Sequence, residues 1–134
     1  MIIVDTSVWV DYFRGTRSAQ VDWLDARLTK ERFGLTDLIL CEALQGVTTD
    51  RTFRMVQKEL LRLEIFETGT VELAIEAAGN YRRLRTAGRT VRRTIDCLIA
   101  TFCLAEGYRL LHNDRDYDAF EEVLGLKVVH LQSA

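Results

Sequence analysis

The 134-residue sequence predicts an α/β sandwich of three layers, with a central, mainly parallel sheet of four to five strands flanked by helices. Three observations predict it. Short, branched apolar runs, Met1–Val4 the clearest, alternate with stretches of helical period. Asp37, Thr70 and Thr94 stand where helices should start, and Gly46, Gly88, Gly107 and Gly125 where they should stop. Strands separated by helices need crossovers, which makes the sheet parallel. Proline, internal repeats and low-complexity linkers are absent, so residues 1–134 are expected to form a single domain.

Residues 1–5 read as a buried strand, too brief for a helix. Ser7–Phe13 follows as a short helix, and residues 19–30 as an amphipathic one with Val21, Leu24 and Leu28 on a common face. Arg32–Leu35 is a second strand, and Asp37 caps a helix reaching about Val47. Asp50–Leu63 is helical, with Phe53, Val56 and Leu60 at helical spacing, and Ile65–Glu67 is a third strand. Thr70 caps a long helix to about Ala87, and Thr94 caps another ending at Gly107. Arg109–His112 is a strand, residues 116–124 a short helix, and Lys127–His130 a last strand.

The three cysteines, Cys41, Cys97 and Cys103, lie in apolar segments without a CxxC pair and are expected to be reduced core thiols of a cytoplasmic protein. The first apolar run has no basic region and ends at Asp5, unlike a signal peptide. No stretch approaches the roughly 18 apolar residues of a membrane span. A net charge of −2 argues against an indiscriminate nucleic-acid binder. That total hides an acid-free segment carrying Arg82, Arg83, Arg85, Arg89, Arg92 and Arg93.

Five carboxylates interrupt or follow the most apolar runs: Asp5, Glu42, Asp96, Asp114 and Asp116. Burying a carboxylate without a partner costs several kcal/mol or forces protonation. In an open parallel sheet, sites form beyond the carboxyl ends of the strands. Asp5 follows the first strand, Asp114 and Asp116 follow the strand at 109–112, and Asp96 and Glu42 lie early in crossover helices. Taken singly, each acid has an ordinary reading as a helix-dipole partner, a solvated residue or a turn former. Their joint placement at one edge instead predicts a cation site, and all-oxygen ligands suit Mg²⁺ or Mn²⁺ rather than zinc. His112 and His130 read as core or edge residues.

Ile3-Val4-Asp5-Thr6-Ser7-Val8-Trp9, the helical Glu42, Thr94-Ile95-Asp96-Cys97-Leu98-Ile99-Ala100 and Leu111-His112-Asn113-Asp114-Arg115-Asp116-Tyr117 together resemble the PIN domain. More narrowly, they resemble the VapC toxins of bacterial type II toxin–antitoxin systems. The resemblance runs from the first residue to about Leu131. It implies a Mg²⁺- or Mn²⁺-dependent endoribonuclease, with one or two ions per site, held inactive by a VapB-type antitoxin. It also implies a homodimer, often within a larger toxin–antitoxin assembly. Asp5, Glu42, Asp96 and Asp114 would form the catalytic quartet, with Asp116 a further ligand. Thr6 and Ser7 would hydrogen-bond within the site, and Asn113 would orient a neighbouring carboxylate. The RNA, whether tRNA, rRNA or mRNA, would be cut to leave a 5′-phosphate and a 3′-hydroxyl.

Asp5 and Asp96 are expected to form the core of the site, with Asp114 and Asp116 completing a second, weaker cation position. Arg92 and Arg93, and with them Arg89, are expected to contact RNA phosphates or an acidic antitoxin tail. Two other readings stay open on the residues alone: a receiver-like phosphorylation module, and a PIN-like domain acting only through protein contacts. The receiver fits poorly, since strand one offers a single acid and Lys127 begins a strand rather than ending one.

Overall fold

The computed structural model describes residues 1–131 and has four strands and seven α-helices among them. In chain order these are β1 (Ile2–Val4), α1 (Thr6–Arg14), α2 (Ala19–Arg27), β2 (Phe33–Thr36), α3 (Asp37–Gln45) and α4 (Asp50–Leu60). Then come β3 (Glu64–Phe66), α5 (Val71–Thr86), α6 (Thr94–Glu106), β4 (Arg109–Leu111), a 3₁₀ turn (Arg115–Tyr117) and α7 (Asp118–Leu124). The sheet is parallel throughout, in the order β3-β2-β1-β4. None of the described helices is long and apolar enough to cross a membrane.

That order carries the functional geometry. From β1 the chain moves outward to β2 and β3, then returns to place β4 on the other side of β1. The reversal opens a crevice between β1 and β4 at their carboxyl ends, where such sheets bind ligands. Val4 is in register with Leu111, and the Asp5 N–H donates to the Leu111 carbonyl at 2.9 Å. The acid-bearing ends of the two strands are therefore stitched side by side.

β1 is central and fully buried, which is why it reads as an unbroken apolar run. Ile3, Val4, Leu35, Leu110 and Leu111 have no exposed surface, and Val8, Leu24, Ile39, Leu60, Leu84 and Ile99 close the core from the helices. Gly34 in β2 admits no side chain. A Cβ there would lie 2.8 Å from the Glu64 carbonyl oxygen and 3.0 Å from the Phe66 ring. Gly34→Ala must push β2 and β3 apart and is expected to cost about 1–3 kcal/mol, read as a lower denaturation midpoint; an unchanged midpoint would show that β3 is loosely held.

Several expected boundaries move. Thr36, not Asp37, caps α3, its hydroxyl accepting from the Ile39 N–H. The Asp37 carboxylate instead accepts from the Thr68 hydroxyl at 2.6 Å, tying α3 to the exit of β3. Arg93 occupies the cap position of α6 without a side-chain capping bond, and Thr94 is the first helical residue. The second helix ends at Arg27 rather than residue 30, and the fourth at Leu60 rather than Leu63.

Lys127–His130 is not a strand: it forms one parallel bridge, Leu110 to Val128. Within it only Val129 is buried, and Val128, which makes the bridge, is half-buried, so the segment lacks the alternation of a half-buried strand. Cys97 and Cys103 are buried, but Cys41 is exposed. Ile39 and Ala43 set the inward face of α3, and a residue midway between them points the other way. Phe53 is likewise exposed, while Val56 and Leu60 are buried.

Candidate active site

Asp5 caps α1, its carboxylate accepting from the Ser7 backbone N–H at 3.0 Å and the Ser7 hydroxyl at 2.7 Å. The same hydroxyl accepts from the Asn113 N–H at 3.0 Å, so Ser7 ties the end of β1 to the loop after β4. Asn113 makes this contact through its backbone; no described hydrogen bond links its side-chain amide to a carboxylate. Thr6 donates to Glu42 at 2.8 Å, holding the α3 carboxylate toward the crevice.

Asp96 lies in the first turn of α6, and both it and Asp5 are 4% exposed, burial unusual for acids. The 3₁₀ turn brings Asp114 and Asp116 in from the other side, pinned by an Asp116 N–H bond to the Asp114 carboxylate at 2.9 Å. Asp96, Asp114 and Asp116 each offer an oxygen within 4.8 Å of the others, the tightest acidic grouping among the described residues.

Tyr117, which carries no expected role from its sequence position, bridges two of these acids. It has no exposed surface, and its hydroxyl lies 2.7 Å from Asp5 and 3.4 Å from Asp96. Burial and the surrounding acids push its phenol well above its usual range, so it remains a donor. The one available signal was an aromatic directly after Asp116, on a turn that must face inward. His112 lies beside it, ring centroids 5.0 Å apart, and accepts from the Asp114 N–H at 3.1 Å. Burial lowers the His112 pKa, favouring the neutral ring that can accept.

The arginines divide. Arg89 pairs with Glu122 at 2.6 Å, on α7. Arg92 approaches Asp116 at 3.7 Å. Arg93 reaches into the acids themselves, its Nε 3.1 Å from Asp96 and its Nη2 3.0 Å from Asp114. Arg92, Arg93, Asn113, Asp114, Arg115 and Asp116 line an open cleft of about 970 Å³. Its walls are thus basic while its floor is acidic.

Burial is the largest cause pushing the Asp96 carboxyl up from 3.8 to about 6; Arg93 opposes it, and Asp5, Asp114 and Glu42 add to it. Glu42 is also raised, first by burial and then by Asp5, against the Thr6 hydrogen bond. Burial, with repulsion among the acids added to it, outweighs what one guanidinium offsets. The donors are all oxygen, a set that fits a hard divalent cation and gives zinc no nitrogen or sulfur ligand within the cluster.

The PIN domain family model matches residues 2–123. Two curated relatives, the VapC ribonuclease Mb1587 of Mycobacterium bovis and ribonuclease VapC11 of Mycobacterium tuberculosis, are each 35% identical over 129 residues. Each alignment covers 95% of this chain and 96% of the relative. The chain belongs to the PIN domain family, with the VapC ribonucleases. Among solved structures, the DNA-bound VapBC of Salmonella typhimurium superposes with a TM-score of 0.76 at 19% identity, covering 97% of both chains. That likeness shows the same fold over nearly the whole chain. Membership excludes the receiver-like reading.

Proposed function

We propose that this PIN domain is a Mg²⁺- or Mn²⁺-dependent endoribonuclease, the toxin of a pair whose antitoxin is VapB-like. The observation that carries the reading is the convergence of Asp5, Asp96, Asp114 and Asp116 at one sheet crevice, with Glu42 held beside them by Thr6. A non-catalytic scaffold would have no use for two buried acids, Asp5 and Asp96, set beside three half-buried ones.

Asp5, Asp96, Asp114 and Asp116 would hold one or two cations, with Glu42 either a further ligand or the proton acceptor for the attacking water. When bound, the cation neutralises charge building on the phosphodiester oxygens and acidifies that water. Tyr117 and Ser7 fix Asp5 by hydrogen bonds on both of its oxygens, leaving little rotation to lose on binding. The raised pKa of Glu42 brings it closer to neutral pH and makes it a better proton acceptor than an ordinary glutamate. Arg92 and Arg115 on the cleft walls are placed to receive the phosphate backbone.

Homodimerisation belongs to the same proposal. The outer face of α5 exposes Val71 by 72% and Ile75 by 69%, apolar surface suited to a second copy. The likeness to VapC ribonucleases and to a solved VapBC complex supports assembly with a VapB-type antitoxin, which should co-purify with the chain when the two are co-expressed. The catalytic reading is tested by incubating the purified chain with tRNA, rRNA and mRNA fragments in Mg²⁺, Mn²⁺ or EDTA. The expected result is internal cleavage only with metal, leaving 5′-phosphate ends. Cleavage that persists in EDTA, or none across the panel, would reject it.

A further inference from the structure

Arg93 sits in an odd place: a residue expected at the substrate bonds the would-be metal ligands instead. Its guanidinium spans Asp96 and Asp114 at 3.1 and 3.0 Å, using one carboxylate oxygen of each. Asp96 and Asp114 are two of the three acids that converge within 4.8 Å. A cation and the guanidinium therefore compete for the same two carboxylates. The competition is open to exchange, because the Arg93 side chain is 57% exposed while that of Asp96 is 5% exposed. The acid is fixed and the arginine can leave. Arg93 also lines the cleft, and its position at the start of α6 demands no capping bond from its side chain.

We propose that Arg93 is a built-in counter-ion: it neutralises Asp96 and Asp114 until a divalent cation displaces it, and then serves the cleft as a ligand for an RNA phosphate. The inference rests on the metal-dependent reading above and adds a regulatory element to it. Arg93 is a positioning residue that keeps the metal-free site from being a bare anionic cluster and couples cation loading to substrate binding. A guanidinium suits both tasks, because its fork engages carboxylate and phosphate oxygens alike.

The test compares wild type, Arg93→Gln and Arg93→Lys as full chains. Mn²⁺ binding is read by electron paramagnetic resonance, and melting is followed in EDTA. Glutamine is shorter but keeps an N–H donor, and it removes the charge. Arg93→Gln is expected to bind Mn²⁺ roughly tenfold more tightly, because a competing charge-assisted pair is gone. It should also melt at a lower temperature without metal. The two shifts oppose each other, whereas damage to the fold would weaken both. Arg93→Lys should restore much of each. In saturating Mn²⁺, Arg93→Gln should raise KM for RNA more than it lowers kcat. Equal or weaker Mn²⁺ binding by Arg93→Gln would overturn the counter-ion role, and an unchanged KM would overturn the phosphate role. If wild type itself bound no Mn²⁺, the metal-dependent reading would fall and the proposal with it.

Discussion

Asp5→Asn is expected to lower the rate of RNA cleavage roughly a thousandfold, about 4 kcal/mol of transition-state stabilisation, without unfolding the protein. Asparagine has nearly the same volume, and its carbonyl can still accept the Tyr117 or Ser7 hydroxyl. What disappears is a negative charge at a 4% exposed position that none of the described ion pairs neutralises. Asp5 also raises the Asp96 pKa by repulsion, so its removal relaxes the metal-free cluster. Melting in EDTA should therefore hold or rise while activity collapses. Initial rates on a cleavable RNA, set beside thermal melts, check both halves. Comparable cleavage by variant and wild type would remove Asp5 from the mechanism; collapse of the fold would make its role structural.

The second large effect is a dependence of stability on pH that metal should reshape. Asp96 is held at about 6 in the folded chain against an ordinary 3.8, chiefly by burial. Below the lower value both folded and unfolded states keep the proton. Between roughly pH 4 and 6 the unfolded chain releases it while the folded chain retains it. Stability is therefore lost as pH rises through that window, by about 3 kcal/mol for a shift of about two units. A cation bound by the ionised carboxylate competes with the proton, so stabilisation by Mg²⁺ should grow across the same range. Melting curves from pH 4.5 to 7.5, with Mg²⁺ or EDTA, measure it. The difference between wild type and Asp96→Asn isolates this group from other acids. Parallel curves for the two proteins in EDTA would mean that Asp96 titrates normally.

Much of this was legible because strand and acid were written together. Val4-Asp5 and Leu111 through Asp116 state both an apolar element and the polar group at its end, and parallel topology converts that into convergence. Less legible were features in which a side chain chooses between neighbours. Thr36 and Asp37 are both good caps, and only the proximity of Thr68 explains why the carboxylate turned away. Thr94 reads as a cap until Arg93 is drawn toward Asp96 and Asp114. Tyr117 acquires its function solely from what the fold brings to its hydroxyl. Such choices depend on contacts between distant segments, which local periodicity does not encode.

The pairing of Ile2 with Arg109 gives the molecule a timetable. Asp5 and Glu42 leave the ribosome early, but they have no Asp96, Asp114 or Tyr117 to work with until most of the chain has been synthesised. The first strand must wait, its edge unpaired, for the last one to arrive. Pairing over so long a separation is slow to form. On the proposed catalytic reading, the nascent chain is expected to leave RNA uncut for nearly all of its synthesis and to become active in one late step.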